Sequence, residues 1–203
     1  MLAPGHPDLA TEAMTVDDVT LGVRIVQPSV QALGTITEAV AHHDDGTVTV
    51  IRTIDLSMPG GGAQATRDTT RFAWPSLAPL SYSATDLSDG EREEVTFDGL
   101  HVTGVFGTTP LPFDLTLPSP VFGPGSMALL ARAVPLREGY TATAPTFSGE
   151  HRLRDAAIAV VGREDADRRD GTTVSAFVDP ETRDLLKMTV APAPGYLLEG
   201  TPH

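Results

Sequence analysis

The chain has no cysteine in 203 residues, which excludes disulfides, thiolate zinc sites and cysteine nucleophiles together. It leaves the redox compartment open, because a chain without thiols is at home on either side of a membrane. Positive charge is scarce. Lys187 is the only lysine, and 14 bases stand against 27 acids, a net charge of −13. Nucleic-acid binding normally needs a basic footprint, so no nucleic-acid partner is expected. Long apolar runs are missing too: no stretch of about 18 apolar residues occurs, which excludes a transmembrane helix. The opening MLAPGHPDLATEAM has neither a basic n-region nor an apolar h-region. It reads as the start of a soluble cytoplasmic protein, with a trimmed periplasmic or secreted form as the alternative. There is no P-loop, no dinucleotide fingerprint and no HExxH pair, and no cofactor is expected.

What is present is ordinary globular material, 40% hydrophobic and 20% charged. A chain of this size buries roughly 70% of its unfolded surface, enough for a core of its own. We expect one β-rich domain over 1–203, with an irregular N-terminal arm at 1–18 and a Pro/Gly-bounded helix segment at 119–140. The fold class expected is mainly β: a curved antiparallel sheet or half-barrel of about ten or more strands with one short lid or plug helix near 126–134.

Two hairpins can be argued residue by residue. In ITEAVAHHDDGTVTVIRTI (36–54), Asp44-Asp45-Gly46 suits a three-residue turn with Gly46 supplying the positive φ. That register sets Ile36 opposite Ile54, Glu38 opposite Arg52, Val40 opposite Val50 and His42 opposite Val48, an opposite-charge pair among β-branched ones. In EVTFDGLHVTG (94–104), Asp98-Gly99 suits a two-residue turn, which pairs Phe97 with Leu100 and Val95 with Val102 on an apolar face. Thr96 with His101 and Glu94 with Thr103 take the polar face. Further strands are expected at 19–26, 66–74, 79–85, 112–117, 140–147, 156–163, 172–178 and 185–191, with another near GYLLEG at the end. DPETRD (179–184) is the turn between two of them, PGGGAQ (59–64) a loop tip, and GREDADRRDG (162–171) a solvated loop. The acidic stretch DLSDGEREEVTFD (86–98) reads as a solvated hairpin face.

SPVFGPGSMALLARAVPLREGY (119–140) is different. Ser126 suits an N-cap, Met127 to Ala133 are helix formers, and Val134 is pushed out of the helical region by Pro135. Met127, Leu130, Ala131 and Val134 follow helical spacing, with Leu129 and Ala133 widening the apolar surface. Two turns this apolar do not stand alone in water. The segment is expected to seat Met127, Leu130 and Val134 on the inner face of the sheet.

PGHPDL (4–9), VTFDGLHVTG (95–104), SMALLARAVPLREGY (126–140), AVVGRED (159–165) and VDPETRDLLKM (178–188) resemble a bacterial family known only as a domain of unknown function. Its members look like relatives of the lipoprotein carriers LolA and LolB. The resemblance implies an antiparallel half-barrel wrapped around helices, and binding of an apolar ligand; family members often carry an export signal.

Candidate chemistry is sparse. His42-His43-Asp44-Asp45 is the densest set of ligand-type residues, but adjacent strand residues point to opposite faces, so a solvated turn is expected and no metal site. GPGSMA has Pro124 and Ala128 where a nucleophile elbow needs glycines. The acids Asp86, Glu91, Glu93, Glu94 and Asp98 offer carboxylate pairs without selecting one. No catalytic residue is assigned. The candidate lining of an apolar pocket is Met127, Leu130, Val134, Trp74, Phe97, Phe113, Phe122 and Tyr140, with plain core packing as the competing reading. Three functions remain: a non-catalytic carrier of a lipid or other apolar small molecule, a fully packed module with a protein partner, and an enzyme with a polar site in the barrel mouth.

Overall fold

The computed structural model describes residues 1–27, 30–58, 61–109, 111–148, 152–160, 174–190 and 197–202. Among these the chain is overwhelmingly strand. In order it forms β1 (Val19–Gln27), β2 (Gln31–His42), β3 (Thr47–Ser57), β4 (Ala63–Ala73), β5 (Ala78–Asp86), β6 (Arg92–Asp98), β7 (His101–Gly107) and β8 (Leu111–Thr116). A short helix, α1 (Met127–Ala133), follows, then β9 (Thr141–Ser148), β10 (Arg152–Ala159), β11 (Val174–Val178), β12 (Leu185–Val190) and β13 (Leu197–Pro202). Eleven strands make one antiparallel sheet in the order β11-β12-β13-β1-β2-β3-β4-β5-β6-β7-β8, and its two end strands do not meet. The β9–β10 hairpin stands apart as a second sheet. β10 begins at Arg152, earlier than expected, because it mirrors β9 from Arg152 opposite Ser148 to Ala159 opposite Thr141. GREDADRRDG, Pro59 and Gly60 of the expected loop tip, His151 and His203 lie outside the described residues.

The first hairpin has the expected register, with Glu38 opposite Arg52 and His42 opposite Val48, and Gly46 turns at φ 75°. The second does not. Asp98 pairs with His101 and Phe97 with Val102, so Gly99 and Leu100 form the turn. Gly99, at φ 62°, takes the first central position, where a type II′ turn wants glycine. The slip is two residues, so the faces survive: Val95, Phe97 and Val102 are buried, while Leu100 is exposed at the tip.

Helix α1 has the expected limits, and Val134 leaves it in an extended conformation. Two details differ. Ser126 does not cap through its side chain; its hydroxyl donates instead to the Gly123 carbonyl at 2.7 Å. Met127 is 41% exposed, whereas Leu129, Leu130, Ala133 and Val134 are buried. With Arg132 as the one clearly polar residue of the segment, spacing left several arcs equally apolar, and the arc that seats is centred on Leu130 and Ala133. Burying Leu129, Leu130 and Val134 contributes about 4.5–9 kcal/mol, at roughly 1.5–3 per side chain.

The helix shares a core cluster with Phe72 of β4, with Tyr140 and Ala144, and with Leu2, Met14 and Val16 of the N-terminal arm. Val40 of β2 and Val50 of β3 pack against that cluster, and α1 also touches β11. β11 and β4 are six steps apart in the sheet, about 29 Å if flat, yet a seven-residue helix is only about 10 Å long. The sheet therefore curls around α1. A second cluster joins Val95, Phe97 and Val102 to Leu117, Val121 and Phe147. A third joins Val23 and Ile25 of β1 to Leu33 of β2 and Leu56 of β3.

Candidate functional site

The inner face is not uniformly apolar. Strand registers line up Glu38, Arg52 and Asp68 as direct neighbours on β2, β3 and β4, continuing through Ala84 to Glu93 on β6. On one side of this row stand Val40, Val50 and Val95, on the other Ile36 and Ile54. Arg52 donates from Nε to Asp68 Oδ2 at 2.9 Å, and its Nη2 lies 2.8 Å from the same oxygen. Burial raises the Asp68 carboxyl above its ordinary range, and Arg52 only partly offsets this. Tyr82 is pushed up by burial and by the nearby Asp68 and Glu93 carboxyls.

Two acids of the row have no such partner. Glu93 is 6% exposed, and its Oε1 has no hydrogen-bond partner. Burial, with Glu91 nearby, raises its pKa to about 7. Glu38 faces Arg52 across the strands, but Arg52 is committed to Asp68. Its carboxylate makes no hydrogen bond or ion pair among the described residues, and burial raises its pKa.

Glu38 opens into a groove of about 540 Å³ beneath the helix. One wall is α1 and the approach to it, through Gly125, Ala128, Leu129 and Arg132. The opposite wall is residues 15–20, and with Glu38 the residues Thr37, Ala39, Val50, Asp184, Leu185 and Pro202 complete the lining. Sequence dictates how the walls are held. Asp18, just before β1, accepts the Val40 backbone N–H at 2.7 Å. Arg132 donates from Nε to the Arg183 carbonyl at 2.6 Å and from Nη2 to the Thr15 carbonyl. Arg183, in the turn between β11 and β12, donates in return to the carbonyls of Arg132 and Val134. A helix residue thus braces both rims of the groove. A second hollow, wide and shallow, lies on the outer face over Thr96, Thr103 and Asp114.

The eight residues expected to line a pocket are split. Leu130, Val134, Phe122 and Tyr140 lie together in the helix cluster with Trp74 packed against it. Phe97 belongs to the second cluster, with Phe113 packed against it; Phe97 meets Phe147 edge-on at 5.5 Å. Met127 is at the surface. The groove is built from neighbours of these residues and from the polar row. Leu129 and Arg132 were legible as helix residues, and Glu38 as a cross-strand partner, but Asp17, Asp18 and Asp184 carried no signal beyond their charge.

His42, His43 and His101 each have a different partner. His42 Nε2 donates to the Val16 carbonyl at 2.9 Å, His43 contacts Thr49, and His101 on the outer face meets Asp114 at 2.7 Å. Ser126 is fully buried. No described helix is long and apolar enough to cross a membrane.

No curated protein and no solved structure matches the chain. A family model described as protein of unknown function (DUF3108) matches residues 19–196, a span that runs from β1 to the approach to β13 and takes in α1 and every strand of the curled sheet except β13. The chain belongs to this DUF3108 family of proteins of unknown function.

Proposed function

We propose that this chain is a non-catalytic carrier that holds a lipid or another apolar-bodied small molecule in the groove beneath α1. The observation that carries the reading is the groove itself, lying between the lid helix and the inner face of the sheet. Its volume is typical of small-molecule sites, which run from about 300 to 1,000 Å³. Val16, Val19, Val50, Leu129 and Leu185 offer apolar lining. The stretches that resemble a domain-of-unknown-function family support the same reading, since members of that family look like relatives of the LolA and LolB carriers and that kinship implies an apolar ligand.

The test is native mass spectrometry on gently purified protein beside the variant Ala128→Trp, which fills the groove from the helix side. The expected result is an added mass on the parent, released by organic extraction and missing from the variant. A parent with no added mass, which also takes up no short-chain alcohol or amine in calorimetry, would overturn the proposal.

A further inference from the structure

Granting the groove as a ligand site, we propose that its ligand carries a positive charge: an amine or quaternary ammonium group seated over Glu38, with an apolar body along Val50 and Leu129. The lining contains Asp17, Asp18, Glu38 and Asp184 against one cation, Arg132. That cation is already occupied. Its donors go to the Thr15 and Arg183 carbonyls, and it stands 3.8 Å from Asp184, so it closes the walls rather than offering itself to an anionic headgroup.

Glu38 is the reverse case. It is partly withdrawn from water, and although the charges of Arg52 and Arg132 act on it through space, both arginines are bonded elsewhere and it makes no hydrogen bond or ion pair among the described residues. A carboxylate left this way on the floor of a cavity costs free energy that an incoming cation would recover. Asp17, exposed on the rim, is near enough for its charge to act on Arg132 but likewise makes no hydrogen bond or ion pair among the described residues.

The arrangement does not suit a hard metal ion. Calcium needs several oxygens within about 2.6 Å of one point, and among the described residues no three His, Cys, Asp or Glu side chains converge in that way. Carboxylates spread along a groove that also presents valine and leucine fit a bulky organic cation better. The chain's net charge of −13 steers such a ligand inward and an anionic one away.

Calorimetry with three matched probes tests this: octylammonium, octanol and octanoate, at about pH 8 and low salt so that the carboxylates are ionised. Octylammonium is expected to bind about tenfold or more tightly than octanol, with octanoate weakest. Glu38→Gln should lower octylammonium affinity about fivefold or more and leave octanol unchanged, which also reports that the variant is folded. Asp17→Asn should act in the same direction, more weakly. Octanol or octanoate binding as tightly as octylammonium would overturn the charge inference and leave the groove standing. An unchanged octylammonium affinity in Glu38→Gln would overturn the assignment of the cation to this carboxylate. Failure of all three probes to bind would overturn the groove reading along with it.

Discussion

A buried acid without a counterion is a source of pH dependence, and Glu93 is the clearest instance in this chain. Its folded pKa of about 7 compares with an ordinary 4.5, chiefly because burial disfavours the charged form. Between those values the folded state holds more protons than the unfolded one, so stability falls as pH rises from about 4.5 to about 7 and levels off above. Glu93→Gln should remove this contribution and exceed the parent in stability by about 1–2 kcal/mol above neutrality, after allowance for solvent screening. Thermal melts of both proteins from about pH 5 to 8 check it; parallel curves would show that Glu93 is ionised at little cost. The inward position of Glu93 was legible after all. It shares strand parity with Val95 and Phe97, yet the charge density of 86–98 suggested a solvated face. Charge density reports composition, whereas strand parity reports direction, and here direction decides burial.

At the scale of elements, proline and turn chemistry made α1 legible to the residue, because Pro135 forbids a helical Val134. Which arc of the helix would seat was not legible, since that depends on what lies opposite. The hairpins divide in the same way. The first register was over-determined by a glycine turn, an opposite-charge pair and β-branched partners, while the second rested on the Asp-Gly preference and on face parity, which a slip of two residues leaves unchanged. The seating of α1 depends on the reciprocal bonds between Arg132 and Arg183. Arg183→Asn keeps a residue tolerant of the left-handed φ of 62° but deletes the donations to the Arg132 and Val134 carbonyls. Loss of these charge-assisted bonds at a partly exposed site should cost about 1–2 kcal/mol. It should read out as faster amide exchange over Leu129–Val134, with β3 and β4 unchanged. Exchange at the parent's rate in α1 would mean that apolar packing alone holds the helix.

For the whole molecule, strands and their antiparallel order were readable from local alternation, because consecutive strands from β1 to β8 are separated by only a few residues of sequence. The interior was not. The pairing of β1 with β13, the separate β9–β10 hairpin and the burial of Leu2, Met14 and Val16 from the arm are long-range outcomes with no local signature. Among the described residues the open sheet also leaves β8 paired on one side only. Pro112, which lacks an N–H, and the exposed Asp114 discourage further strands from joining there. Pro112→Thr combined with Asp114→Val should give concentration-dependent association in sedimentation velocity; a variant sedimenting like the parent at every concentration would contradict this. Finally, Arg132 reaches a carbonyl 117 positions back and another 51 positions ahead. Such far-flung tethers form only after both stretches of chain have arrived, so these two bonds are expected to close late in folding, whatever the order in which the helix itself forms.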